Sequence, residues 1–520
     1  MSQKINRVVI LGGGSAGWLT AGVLAAEHKT KTNPDISITL VESPDVQIIG
    51  VGEGTWPSMR DTLQRMGVSE AEFLIHCDAS FKQGSKFSGW VSGEKDDYYY
   101  HPFSAPEGFG KTNLASAWAN LEEHPRFADL VSFQPHLCES GKAPKQVVTP
   151  EFAAVANYAY HLDAGKFGQF LQQHCTDKLG VGHMLAHVAE VECDDDGDIT
   201  GLRTDDGKLI EGDLFIDCTG FASLLIGKHY DVPFISTRDI LFCDSALATQ
   251  VPYPYENSPI ASQTNGTAQQ SGWVWDIGLP TRRGVGYVYS SAHTSDEDAE
   301  FELWGYIGRS GGPGDEIHQG SARKITFNPG YRQKFWHRNC VAVGISAGFV
   351  EPLEASAIAL IEMSARMIAD EWPATRELMD ISSRRFNHRF EYRWERIIEF
   401  LKLHYLLSNR TDSKFWTDNR KHESVPDRLA ELLEIWRYRS PGFRDFHELE
   451  EVFPSASYQY VLYGMGFKPD PNVHQRRLDQ PEAALQCFQV SRQLAKKYQK
   501  GLPSNRELID HIARYGMKRI

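Results

Sequence analysis

Paired cysteines are missing from this chain. Its eight, at positions 77, 138, 175, 193, 218, 243, 340 and 487, never fall into a CxxC pattern. That scatter supports neither a zinc site nor a disulfide framework, so they read as reduced, mostly structural thiols. Long hydrophobic runs are missing too, since no apolar stretch approaches the roughly 20 residues that cross a bilayer. Positive charge is scarce: 54 Lys and Arg against 68 Asp and Glu leave a formal charge of -14. Non-specific partners with anionic surfaces, nucleic acid or membrane, would need a basic face and are not expected, although local basic patches stay open. Met1-Ser2-Gln3-Lys4-Ile5-Asn6 passes straight into Arg7-Val8-Val9-Ile10-Leu11. That leaves no room for a secretory leader, and the expected location is the cytoplasm. What remains is the composition of an ordinary enzyme, 41% hydrophobic and 23% charged, which argues against disorder. At 520 residues it exceeds one core, and a large nucleotide-binding module with a smaller second one is expected.

Val8 to Leu11 suits a buried parallel strand, Gly12-Gly13-Gly14-Ser15-Ala16-Gly17 follows at once, and Trp18 to Ala26 is helix-like. Gly12 and Gly14 permit a tight turn and close approach of backbone to a pyrophosphate. Gly17 lets the helix pack on the strand with its N-terminus facing the phosphates. A second strand, Ile36 to Val41, ends at Glu42, placed to bond a ribose hydroxyl. A lone GxGxxG is weak and can be a glycine turn without a ligand; the strand, helix and acid around it point to a dinucleotide. The loop itself leaves FAD and NAD open. Glu211 to Gly220 has the form of the later strand and glycine turn with which flavoproteins return to the cofactor, and by that resemblance the loop holds FAD. No second GxGxxG follows an apolar strand, so reduced flavin is expected from a separate reductase. Direct use of NADPH, as in some single-domain hydroxylases, stays open.

In Gly272-Trp273-Val274-Trp275-Asp276-Ile277 two tryptophans two residues apart on a strand point the same way. They can wall off a cavity, or simply fill a core, which is what such pairs usually do. Together with Gly12 to Trp18, Gly50 to Ser58, Phe81-Lys82 and Phe349-Val350-Glu351-Pro352-Leu353-Glu354, this run resembles, in the same order, the motifs of flavin-dependent halogenases of the tryptophan halogenase family. The resemblance spans nearly the whole chain. One departure is the family's WxWxIP, which here continues as Ile277-Gly278-Leu279-Pro280 and puts the local turn in question.

The resemblance implies that reduced FAD, oxygen and halide give hypohalous acid, which reaches a lysine beside the substrate. Lys82 takes that position. An amine in a protected pocket can hydrogen-bond the oxidant or form a haloamine, aiming it at one carbon. The ordinary alternative is a solvated lysine, and Lys86, facing the same way on a strand, competes. Glu354 matches the catalytic glutamate, which can stabilise the cationic ring intermediate and accept its proton. Its ordinary alternative is a carboxylate at a helix start, the reading given to Glu351. The backbone amides of Ser356 and Ala357 match the halide-binding pair. Ala355-Ser356-Ala357 replaces the family's Ser-Thr-Gly, which leaves chloride versus bromide open. Trp273 and Trp275 are implied to line the passage from the flavin and keep substrate away from it. Cofactor contacts are implied for Gly12, Gly14, Ser15, Ala16, Gly17, Glu42, Gly52, Glu53, Val188, Asp217 and Gly344.

Tyr98-Tyr99-Tyr100-His101-Pro102-Phe103 resembles the family's substrate loop, with Phe103 stacking on a planar ring and His101 at its edge. His101 has no metal-ligand spacing to other histidines. Helix-like segments at Arg384 to Leu407 and Pro481 to Gln499 suggest a mainly helical, substrate-covering module over 371–520, added to an α/β FAD-binding, Rossmann-like (flavin monooxygenase-type) module over 1–370. Tryptophan-specific members hold the amino-acid backbone with a Tyr-Tyr pair and a Glu and close on the indole with Phe-Trp. Here Pro441-Gly442 and Val452-Phe453 stand in those places, with Glu448 for the Glu. Indole or a larger indole-like arene is therefore expected ahead of free tryptophan, with Phe453 touching it. The leading expectation is FADH2-dependent chlorination or bromination of a small electron-rich aromatic. A flavin monooxygenase that hydroxylates or epoxidises, and a flavin-binding protein without activity, are the alternatives; a homodimer is left open.

Overall fold

A computed structural model describes residues 4–46, 51–123, 125–312, 322–470 and 480–519. By contact the chain divides into two compact units. One gathers Met1–Ala79, Leu162–Thr237 and Asn328–Trp394, the other Ser80–His161, Arg238–Phe327 and Glu395–Ile520. Both are discontinuous, so this grouping differs from a division in chain order at residue 370. The physical reason is that sheets recruit strands from remote segments, whereas periodicity reports only neighbours along the chain.

The first unit is built on a six-stranded sheet in the order Trp336–His337, Cys340–Ala342, Leu214–Asp217, Arg7–Leu11, Ser37–Glu42, Gly182–Leu185. All neighbours are parallel except the first, antiparallel pair. Val8, Val9, Ile10 and Leu11 are all buried, the continuous apolar run of a strand covered on both faces. Its start is pinned by Arg7, whose guanidinium lies 2.8 Å from Asp213. Helix α1, Ser15–His28, buries Trp18, Leu19 and Leu24 and ends with Lys29 in the left-handed region. Helices α2, Ser58–Arg65, and α3, Ser356–Asp370, pack with α1 and with each other. The α/β character and the order strand, glycine loop, helix are those expected from the sequence.

The second unit centres on a seven-stranded sheet in the order Arg323–Thr326, Ser245–Pro252, Arg282–Tyr289, Gly272–Gly278, Thr264–Ala268, Gly84–Ser88, Tyr98–Pro102. It is antiparallel except between Thr264–Ala268 and Gly84–Ser88. A helix, Asp296–Arg309, sets Ala299, Leu303 and Ile307 against Val274, Val285 and Tyr287. Ser295 caps that helix and three acids fill its first turn, where they meet the positive end of its dipole. The C-terminal region is helical, as expected: Asp427–Trp436, Ser455–Gly464, Pro481–Gly501 and Asn505–Tyr515. Among the described residues no helix is long and apolar enough to cross a membrane.

Candidate active site

In the first unit the glycine loop leads into α1 as the motif requires. Gly12 has φ 114°, and a Cβ there would stand 2.3 Å from the Cys218 carbonyl oxygen. A Cβ on Gly17 would stand 1.9 Å from the Gly12 carbonyl oxygen, so the helix touches the strand backbone only because the residue is glycine. At Gly14 a Cβ would meet nothing within 4 Å, and no side chain caps the helix. The amides of the first turn, at Ser15, Ala16 and Gly17, thus start from an open, side-chain-free surface suited to a pyrophosphate.

Gly344, with φ 78°, approaches the same turn; a Cβ there would lie 2.8 Å from the Cβ of Ala16. Glu42 ends its strand beside the loop, but its Oε1 accepts a 2.7 Å bond from His183 Nε2. The backbone carbonyl of Glu42 accepts the amide of Ala186, bringing Val188, the first residue of its own strand, to this edge. Gly52 and Glu53 precede α2, and burial pushes the Glu53 carboxyl up to about 7. Gly50, the first residue of that motif, lies outside the described residues.

Asp217 ends the strand Leu214–Asp217. Its carboxylate accepts four bonds from its own turn, from the Thr219 amide (3.0 Å) and hydroxyl (2.6 Å) and from the amides of Leu225 (2.8 Å) and Ile226 (2.9 Å). Four donors use the acceptor capacity of a carboxylate, so Asp217 shapes the turn at the strand end.

Glu354 lies in the short 3-10 turn Leu353–Ala355, just ahead of the following helix. Helix α3 begins at Ser356 with no acid in its first turn, and the two preceding residues are left-handed: Glu354 at φ 67°, ψ 6° and Ala355 at φ 55°, ψ 45°. Ser356 and Ala357 are the first two residues of α3, which no side chain caps, so their amides stand where a small anion is favoured. The indole N–H of Trp56, 298 positions away, donates to the Glu354 carbonyl at 2.8 Å. Ser58 Oγ (3.1 Å) and Thr62 Oγ1 (2.6 Å) of α2 donate to Glu362 of α3. Burial nevertheless pushes the Glu362 carboxyl up to about 7.

The second unit holds Lys82. It is 1% exposed, so it is not a solvated surface lysine. It ends the strand Ser80–Lys82, which pairs antiparallel with residues 159–161, and its Nζ lies 5.4 Å from the centre of the Phe103 ring. Burial, with the Lys82 charge added, pushes the neighbouring His161 well below its usual range. Lys86 stands on the next strand, Gly84–Ser88, with Nζ 2.5 Å from Glu139 and over the Tyr98 ring at 4.2 Å. The break at Gln83 separates the two lysines onto different strands, and Lys86 is committed to an ion pair.

His101 Nε2 and Ser457 Oγ share a 2.9 Å hydrogen bond, and the His101 ring lies 5.8 Å from Phe400. Phe400 stacks on Phe453 at 3.8 Å. Within this unit Lys82 is thus paired with Phe103, and His101 is joined through Phe400 to Phe453. In the run aligned with the tyrosines, the Pro441 carbonyl accepts Gln459 Nε2 at 2.9 Å and the Gly442 amide bonds Asp445 at 2.8 Å. Glu448 is half-buried, and its amide bonds the Glu451 carboxylate at 3.0 Å.

Trp273 is 2% exposed and packs 6.2 Å from Trp90, as a core residue does. Trp275, half-buried, lies 6.5 Å from Trp273 and covers Gly286, where a Cβ would come within 2.1 Å of its ring. The irregular Gly278 sits at the strand end, its carbonyl accepting Ser80 Oγ at 2.5 Å, which fastens the tryptophan strand to the lysine strand. Sequence reasoning missed Trp56, Glu362, His161 and the fully buried Lys145, whose Nζ reaches the Pro150 carbonyl at 3.3 Å. For Glu362 a signal was present: an acid between the apolar run Ile358 to Ile361 and Met363.

A bare helix start behind a glycine loop defines an α/β dinucleotide-binding protein, and a buried lysine among aromatic rings adds the features of an enzyme acting on a flat substrate. The tryptophan halogenase family model matches residues 7–480, and the chain belongs to that family of flavin-dependent halogenases. A crystal structure of a tryptophan halogenase from Shewanella frigidimarina superposes with a TM-score of 0.94 at 48% identity, covering 99% of each chain. BrvH, a flavin-dependent halogenase from Brevundimonas sp. BAL3, gives 0.85 at 32% identity over 98% of this chain and 99% of its own. Tryptophan 6-halogenase SttH from Streptomyces toxytricini is 33% identical over 97% of this chain and 98% of its own.

Proposed function

We propose that this halogenase holds FAD at the glycine loop, receives it reduced from a separate flavin reductase, and halogenates indole or an indole-like arene under the direction of Lys82. When bound, reduced FAD supplies the electrons with which oxygen converts halide to hypohalous acid. Gly12 makes the tight turn, Gly14 keeps a side chain out of the phosphate path, Gly17 lets the helix pack close, the amides of Ser15 and Ala16 face the anion, and Glu42 and Gly344 border it. The amides of Ser356 and Ala357 hold the halide at the bare start of α3.

Lys82 Nζ presents hypohalous acid to the ring, as a hydrogen-bond donor or as a haloamine, and confines an oxidant that would otherwise diffuse. Glu354 is assigned as the general base of the reaction. Phe103, His101 and Phe453 hold the arene flat, and Trp273 and Trp275 screen it against direct oxygen transfer. The observation that carries this reading is the burial of Lys82 with its ammonium over the Phe103 ring.

Named relatives include tryptophan 6- and 7-halogenases. Here Pro441 and Gly442 carry no phenol to hold an amino-acid backbone, which favours indole itself. Enzyme, FAD, a flavin reductase and NADH are incubated with indole or free tryptophan and with bromide or chloride, and products are weighed by mass spectrometry. Halogen isotope doublets, stronger from indole, are expected. Oxygenated product that forms without halide refutes halogenation, and preference for free tryptophan refutes the substrate assignment.

A further inference from the structure

The Glu354–Ala355 segment stores strain. Left-handed backbone costs a residue other than glycine roughly 1–2 kcal/mol, and here two such residues stand in succession. Conformations of this kind persist where surrounding bonds over-determine them. One bond is local, from the Ala355 amide to the Pro352 carbonyl at 3.0 Å. Another comes from far along the chain, the 2.8 Å bond from Trp56 Nε1 to the Glu354 carbonyl. A peptide group is planar, so holding the Glu354 oxygen sets ψ of Glu354 and φ of Ala355 together. Those two angles aim the Glu354 side chain relative to the first turn of α3. Trp56 is a firm post, because α2 begins two residues later and is tied to α3 through Ser58, Thr62 and Glu362.

We propose that Trp56 is a positioning residue for the halogenation: its indole N–H fixes the Glu354 peptide and so the direction of the Glu354 carboxylate and of the amides that open α3. This rests on the catalytic reading of Glu354. Trp56→Phe keeps an aromatic ring and removes the donor. The expected result is a fall of about tenfold in kcat for halogenated product, with the arene KM little changed. Flavin oxidation continues, so product per flavin oxidised falls as well.

Adding Ala355→Gly, which accepts the left-handed conformation without a Cβ, should recover about threefold of that loss, the equivalent of somewhat under 1 kcal/mol. A tryptophan that merely fills space would show no such rescue. Glu354→Gln is measured in parallel. If it leaves product formation intact, the reading of Glu354 falls, whatever Trp56 does. If it abolishes product while Trp56→Phe matches the parent, the positioning role alone is overturned. Should Trp56→Phe fold poorly, the double variant decides: better folding or more product is expected, and no gain in either overturns the proposal.

Discussion

Two helices of the first unit begin in the same chemical state and reach it by opposite means. Both α1 and α3 start without a side-chain cap and so present bare amides. Before α1 the chain turns on Gly12 at φ 114° and closes against Gly17, residues that take such geometry at small cost. Before α3 it turns on a glutamate and an alanine that do not, with Trp56 and the Glu362 seam holding them. A surface that only has to receive an anion can be made of glycine. One that must also carry a carboxylate needs a side chain at the turn, and its strain is met by bonds from elsewhere.

The largest expected effect is at the glycine start. Gly12→Ala forces a Cβ to 2.3 Å from the Cys218 carbonyl at a φ that disfavours it. A loss of about 3 kcal/mol or more in unfolding free energy, with loss of retained FAD, is expected in denaturant titration and flavin absorbance. An alanine variant of parent stability would erase the contrast between the two starts.

Next comes pH, because α3 is fastened to α2 through a titrating group. Glu362 sits near 7 in the fold against an ordinary 4.5, so between those values the folded protein holds a proton that the unfolded chain has released. The contribution is fully present below about 4.5 and is lost as pH rises through about 7, a change of up to about 3 kcal/mol. Glu362→Gln, compared with the parent by denaturant titration across that window, should flatten the decline. Parallel curves would show that Glu362 does not titrate there.

The smallest effect is at the strained turn itself. Ala355→Gly relieves one left-handed residue and frees the unfolded chain, and a net gain of about 0.5 kcal/mol is expected in unfolding free energy. A loss would mean that the left-handed pair is not strained.

The glycine start was legible in the sequence, because only one residue type satisfies the sterics and it appears as letters at fixed spacing. Lys82 was legible as a motif position, but its burial, the break at Gln83 and the ion pair of Lys86 to Glu139 are displayed by no spacing. Trp273 and Trp275 were legible as a pair, but not that Trp275 needs the bare Gly286 on the adjacent strand. Asp217 was legible as a strand-end residue, but the four donors folding back on its carboxylate were not. The bond from Trp56 to Glu354 joins residues 298 positions apart, and the seven-stranded sheet draws strands from two separated stretches of chain. Such pairings are decided by tertiary packing, to which local periodicity is blind.

The most direct test of the account is the bromination of indole by the parent and by Lys82→Ala, with reduced FAD supplied by a reductase and both product and flavin oxidation followed. The account predicts the paired mass peaks of a monobrominated indole from the parent, and their loss from Lys82→Ala while flavin oxidation continues. Undiminished bromoindole from Lys82→Ala would contradict it.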